Sequence, residues 1–132
     1  MKRSKELGEL AEMEFMRTAT INGLKVSKPF GDSAPYDFIV DNSKRLIKIQ
    51  CKSTSCKISR NGSYQVLLAK GSSSKVLYTA SEVDYFAVFI HPLSVWYIIP
   101  IGFIETVRIR LFADSEKSIY SPFREAWSLL TE

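Results

Sequence analysis

The chain has 132 residues, 45% hydrophobic and 24% charged, which suits one globular domain over 1–132 and excludes a disordered or fibrous polymer. No apolar run approaches the ~20 residues needed to cross a bilayer. No apolar signal region follows the basic start Met1-Lys2-Arg3-Ser4-Lys5, so neither a membrane nor a secreted protein is expected. The net charge of +4 is uneven: Asn42 to Ser81 holds no Asp or Glu and carries +8, leaving −4 for the remainder. Such a block points to a polyanionic partner, although a solvated basic face has the same signature.

Ser4 to Asn22 reads as a helix with Gly23 at its C-cap. Leu7, Leu10, Ala11, Thr18 and Ile21 form one stripe; Gly8, Glu12, Phe15, Met16, Ala19 and Gly23 form another. Glu12 thus lies on an apolar stripe, where a carboxylate needs a partner or a metal. Glu9 and Glu14 are its rivals. Leu24 to Lys28 is a short strand, and Pro29 to Pro35 a loop in which Asp32 has a turn role, with a contribution to the site as the alternative.

Asp37-Phe38-Ile39-Val40 and Leu46 to Lys52 flank the polar turn Asp41-Asn42-Ser43-Lys44, the pattern of a hairpin. Alternation puts Ile47, Ile49 and Cys51 on one face and Lys48, Gln50 and Lys52 on the other. Pairing about Ser43-Lys44 sets Asp37 opposite Gln50; a slip of two residues would set it opposite Lys48. One face then carries a carboxylate, an amide oxygen and an ammonium.

Further on, Lys57-Ile58-Ser59 and Tyr64 to Leu67 flank Arg60-Asn61-Gly62-Ser63, and Asn-Gly is a strong turn signal. The expected ribbon carries Lys57, Arg60, Asn61, Ser63 and Gln65, with a size and polarity suited to a DNA major groove. Lys75, after the Gly71-Ser72-Ser73-Ser74 loop, is placed to meet backbone phosphate. A plain structural hairpin is the alternative. Tyr85 to Ile90 is a fully buried strand, and Val95 to Pro100 follows a turn at His91-Pro92. The lone His91 is a loop residue and speaks against a histidine-metal nuclease. Ile101 to Ile104 is a helical turn and Val107 to Phe112 an edge strand. Ser121 and Pro122 open a last helix whose Phe123, Trp127 and Leu130 cover one sheet face. Cys51 and Cys56 make neither a disulfide framework nor a zinc site, and fit a reducing, cytoplasmic setting.

The run Gly8-Glu9-Leu10-Ala11-Glu12, Gly23, Pro29-Phe30-Gly31-Asp32, Tyr36 to Asp41 and Ile49-Gln50-Cys51-Lys52 resembles the PD-(D/E)XK nuclease superfamily. It is most similar to the Gln-x-Lys subgroup that includes cyanobacterial group I intron homing endonucleases. Tyr36 separates the proline from Asp37, and Gln50 stands where an acid is usual. The resemblance covers about the first half of the chain. It implies an α/β (α+β) fold with a restriction-endonuclease-like core, a central mixed sheet flanked by helices, of αβββαβ type. It implies Mg²⁺-dependent hydrolysis of double-stranded DNA, with Mn²⁺ able to substitute. Catalysis would rest on Glu12, Asp37, Gln50 and Lys52; the metal donors would be Asp37, Glu12, Gln50 and the Cys51 carbonyl. One small domain offers one site, so cutting both strands implies a homo-oligomer, dimer or tetramer. A Holliday-junction-resolving nuclease and an inactive DNA-binding accessory protein are the alternative readings.

Overall fold

The computed structural model describes residues 4–58, 60–70 and 76–132. Helix α1 (Ser4–Ile21) is rich in Glu, Leu, Ala and Met and holds no proline. It ends in a Schellman arrangement: Leu24 N–H donates to Ala19 C=O at 3.0 Å, Gly23 N–H to Thr20 C=O at 3.0 Å, and Gly23 has φ of 81°. The buried stripe is Ala11, Phe15 and Ala19. Of the other stripe expected from periodicity Ala11 is buried, whereas Leu10 is 38% and Ile21 66% exposed. Two small alanines let α1 lie close enough for Phe15 to stack on Phe38 at 5.0 Å and to meet Trp96 and Trp127 edge-on or tilted. A fully buried phenylalanine of this kind contributes about 3–5 kcal/mol.

Five strands form the central sheet: β1 (Lys25–Ser27), β2 (Phe38–Asp41), β3 (Leu46–Thr54), β5 (Tyr85–Ile90) and β6 (Val95–Pro100), in the order β1-β2-β3-β5-β6. Only the β3–β5 pair is parallel, so the sheet is mixed and the α+β architecture holds. The hairpin register pairs Phe38 with Ile49 and Ile39 with Lys48, which excludes the slipped alternative. Between β3 and β5 the chain crosses over through β4 (Tyr64–Leu67), with no helix among the described residues.

Both sheet faces are covered. Phe38, Val40, Ile47, Ile49, Ala87, Phe89, Trp96 and Ile98 pack with α1, Trp127 and Leu130. Phe86, Val88, Ile90, Val95, Tyr97 and Ile99 pack beneath a two-stranded ribbon of β4 and β7 (Arg108–Leu111). That ribbon corrects the expected one. Lys57 forms a bridge with Tyr64, and Ile58 N–H donates to Ser63 C=O at 2.7 Å; Ser59 lies outside the described residues, and β4 takes β7 as its partner instead. Gly62 has φ of 72° but Asn61 does not take positive φ, so the turn is not the two-residue primed kind. Its register follows from burial: Tyr64, Val66, Ile109 and Leu111 all point into the core.

The last predicted helix is also corrected. Ser121–Phe123 is a 3-10 turn and α2 spans only Ser128–Thr131. Between them Glu125 has φ of 50°, its N–H donates to Trp96 C=O at 2.7 Å, and its carboxylate accepts from Trp96 N–H and Trp127 Nε1–H. Those tertiary bonds hold the break open against helix propensity. Phe123 consequently joins the ribbon-side core, while Trp127 and Leu130 join the helix-side core. Both cysteines are free, Cys51 half-buried and Cys56 exposed. Among the described residues no helix is long and apolar enough to cross a membrane.

Candidate active site

The site forms where β2 stops covering β3. β2 begins only at Phe38, opposite Ile49, whereas β3 runs on to Thr54. Past Ile49 one edge of β3 therefore has no strand beside it. Asp37 fills the start of that gap. Its N–H donates to Ile49 C=O at 2.8 Å and its Oδ2 accepts from Cys51 N–H at 2.8 Å. A strand residue sends its N–H and C=O to the same edge, so the Cys51 carbonyl faces the same open edge as Asp37.

The two sheet faces bring different groups to this edge. Lys52 pairs across β5 with Val88 and Gln50 with Phe86, both members of the ribbon-side core, so Gln50 and Lys52 share that face. Lys52 Nζ donates to Ala69 C=O at 3.3 Å and lies 5.5 Å from the Tyr78 ring centroid. Gln50 is half-buried, and its side chain has no hydrogen-bond partner among the described residues. Glu12 comes from the other face, on α1. It is half-buried and its Oε1 accepts from Lys28 Nζ at 2.7 Å. Lys28 also lies 5.1 Å from the Phe38 ring centroid. Glu12, Lys28, Asp32 and Asp37 line one cleft of about 220 Å³, with Pro29, Gly31, Ala34 and Tyr36.

Electrostatics tie these groups together. Burial raises the Asp37 carboxyl above the ordinary carboxylate range, and the Glu12 charge adds to the rise; the Cys51 N–H, Lys52 and Lys28 oppose it. Burial lowers the Lys52 ammonium, against the pull of Asp37. Burial, then Asp37 and Glu12, pushes the Cys51 thiol well up, which leaves it an inert packing group. Asp37 is thus within electrostatic reach of both Glu12 and Lys52, although these come from opposite sides of the sheet. Glu14, by contrast, pairs with Arg17 on the outer face of α1, and Glu9 is exposed.

The carboxylates that line the cleft suit a hard divalent cation, with neither His nor thiolate required; Gln50 and Cys51 are not among its lining residues. Among the described residues no three His, Cys, Asp or Glu side chains form a metal-binding group. Two acids and neutral oxygens would therefore make the set.

The predicted DNA-contacting residues divide. Lys57, Arg60 and Asn61 are exposed and Gln65 half-buried. Ser63 is fully buried; its hydroxyl and N–H both donate to Asn61 Oδ1, which braces the turn and keeps Ser63 from any groove. Lys75 lies outside the described residues. The basic block is not one continuous patch: Lys70 pairs with Glu82 at 2.5 Å and Lys48 Nζ donates to Ser81 C=O at 2.8 Å. Three groups escaped the sequence reading. Lys28 would follow from extending the β1–β2 ladder, which sets it opposite Phe38. Arg108 and Arg110 are exposed on β7, across from Leu67 and Gln65, and needed the β4–β7 pairing to be noticed. Tyr78 carries no local signal.

No curated protein matches the sequence. Among solved structures the chain is similar to a bacterial homing endonuclease, I-Ssp6803I, with a TM-score of 0.86 and 25% identity over 98% of this chain and 94% of that one. The PD-(D/E)XK endonuclease family matches residues 2–129, both halves of the site and nearly the whole fold included, and the chain belongs to that family.

Proposed function

We propose that the protein is a divalent-metal-dependent endonuclease of double-stranded DNA, of the homing-endonuclease type, using Mg²⁺ with Mn²⁺ as a substitute. The observation that carries this reading is Asp37: one half-buried carboxylate, bonded to the free edge of β3, that feels Glu12 from one side and Lys52 from the other. When bound, the ion would lower the pKa of water and offset charge on the phosphate. Asp37 and Glu12 would hold it, with the Gln50 amide oxygen and the Cys51 carbonyl completing the donors. Gln50 in place of an acid removes one negative charge, so binding is weaker than at a two-acid strand site. Lys52, kept in place by Ala69 C=O and the Tyr78 ring, orients the attacking water and stabilises the pentacovalent phosphate. Lys57, Arg60 and Asn61 ahead of β4, with Gln65, Arg108 and Arg110 on the β4–β7 ribbon, would contact DNA, and two copies of the chain would supply one site per strand.

The test is incubation of supercoiled plasmids bearing a randomised insert with protein and Mg²⁺ or Mn²⁺. Linear product that disappears with EDTA is expected. Four-way junctions as competitors separate a junction-resolving enzyme, which would prefer them. Intact DNA that stays bound regardless of metal would indicate an accessory protein.

A further inference from the structure

Lys28 has no place in the chemistry above, yet it lines the cleft together with Glu12 and Asp37. Its ammonium is 2.7 Å from Glu12 Oε1 and faces the Phe38 ring, while its side chain remains 53% exposed. It follows the edge strand β1 directly, which fixes its backbone and leaves the long stem free to swing. Two half-buried carboxylates repel one another without a cation, and the protein supplies one from its own chain.

We propose that Lys28 is a built-in counter-ion of the cleft, holding the cation position at Glu12 until a divalent ion displaces it. The inference rests on the reading of Glu12 and Asp37 as metal-binding groups. A lysine brings one charge and three donors and meets one carboxylate here. A divalent ion brings two charges and can take oxygens from several groups at once, so it wins the exchange. The cost of that exchange appears as competition: a site closed by its own lysine binds metal more weakly by the fraction of time it is open. The device keeps the acids from destabilising the metal-free protein and sets a threshold on the metal concentration at which the cleft fills.

The experiment is calorimetric titration of Mn²⁺, without DNA, into the wild type, Lys28→Met and Asp37→Asn. Lys28→Met should bind Mn²⁺ about 3- to 10-fold more tightly, the size expected for releasing one partly exposed ion pair and one nearby positive charge. Asp37→Asn should lose most binding. Unchanged or weaker binding by Lys28→Met, with Asp37→Asn still defective, overturns the counter-ion role and leaves the metal site standing. Unchanged binding by Asp37→Asn places the ion elsewhere and removes both. Should Lys28→Met fail to fold, ¹⁵N NMR of the lysine side chains in the wild type decides the matter. The Lys28 ammonium signal should be protected in the metal-free protein and lose that protection when Mg²⁺ is added; a signal indifferent to Mg²⁺ overturns the proposal.

Discussion

Two aspartates grip β3 from opposite edges, and they make the same bond. Asp37, just before β2, accepts the Cys51 N–H at 2.8 Å; Asp84, just before β5, accepts the Lys48 N–H at 2.8 Å. Their surroundings differ. The Asp84 main chain is fully engaged, donating to Lys48 C=O at 2.9 Å and accepting from Ile101 N–H at 3.0 Å, so the residue ties the starts of β3 and β5 to the end of β6. Asp37 sits beyond the last rung of its ladder, among Glu12, Lys28 and Lys52, and burial raises its carboxyl. A carboxylate bonded to a strand edge is therefore no mark of a site by itself. The mark is a carboxylate made uncomfortable by its neighbours, beside an edge left open.

The comparison breaks most visibly in activity. Asp37→Ala should reduce DNA cleavage by about 10³-fold or more and Lys52→Ala by about 10²-fold or more, because each removes a group proposed to act on the reacting phosphate or its metal. DNA binding, measured by gel shift in Ca²⁺, should survive both. Asp84→Ala should keep near-normal turnover at low temperature yet lose about 1–3 kcal/mol of stability, the cost of a strand N–H left without its acceptor. Denaturant unfolding and plasmid cleavage on the same three variants check this. A folded Asp84→Ala protein without activity would erase the distinction.

Stability against pH separates the two residues more finely. The folded Asp37 carboxyl titrates above its unfolded value, first because of burial. At pH below the unfolded carboxylate range both states are neutral and the residue costs nothing. As pH rises through the raised folded value, the buried group must ionise, and stability is lost and stays lost above it. Asp37→Asn keeps the acceptor for Cys51 N–H but never ionises. It should match the wild type at acid pH and exceed it at neutral pH, in metal-free buffer, by thermal melting. Equal melting temperatures across the range would mean that Asp37 is solvated, not strained.

Much of this was legible in the residues themselves. Alternation and turn length narrowed the hairpin to two registers, and the ladder takes the one that sets Asp37 opposite Gln50. The half-buried position of Glu12 was legible in its apolar stripe, although the stripe boundaries were not, because Leu10 and Ile21 carry the right spacing and still face solvent. What failed depended on distant partners. Asn61-Gly62 signals a hairpin locally, but β4 gains more by burying Tyr64 and Val66 with Ile109 and Leu111. Ser121-Pro122 signals a helix start, but Glu125 is held in a positive-φ bend by Trp96 and Trp127. No local rule sees a partner 29 residues away, or one as distant as Leu111 is from Tyr64. Lys28 and Tyr78 belong to the same class: they matter through what the fold sets beside them.

The smallest effect sharpens the contrast at Gln50. Gln50→Glu restores the usual acid on β3, adding a charge beside the edge where Asp37 already strains. No equivalent change is felt at Asp84, which faces the other edge of the strand. In metal-free buffer the added carboxylate repels Asp37, with Lys52 offsetting part of it, so the variant should melt a few degrees lower, a shift of about 1 kcal/mol in a chain of this size. With Mn²⁺ present the order should reverse, because a ligand that binds only the folded state stabilises it by the logarithm of one plus its free concentration over its dissociation constant, and a third carboxylate strengthens that binding. Melting curves of the wild type and Gln50→Glu, with EDTA and with saturating Mn²⁺, give the crossing directly. Parallel shifts in both buffers would show that Gln50 lies outside the reach of the ion, leaving Asp37 and Glu12 to hold it with main-chain oxygen alone.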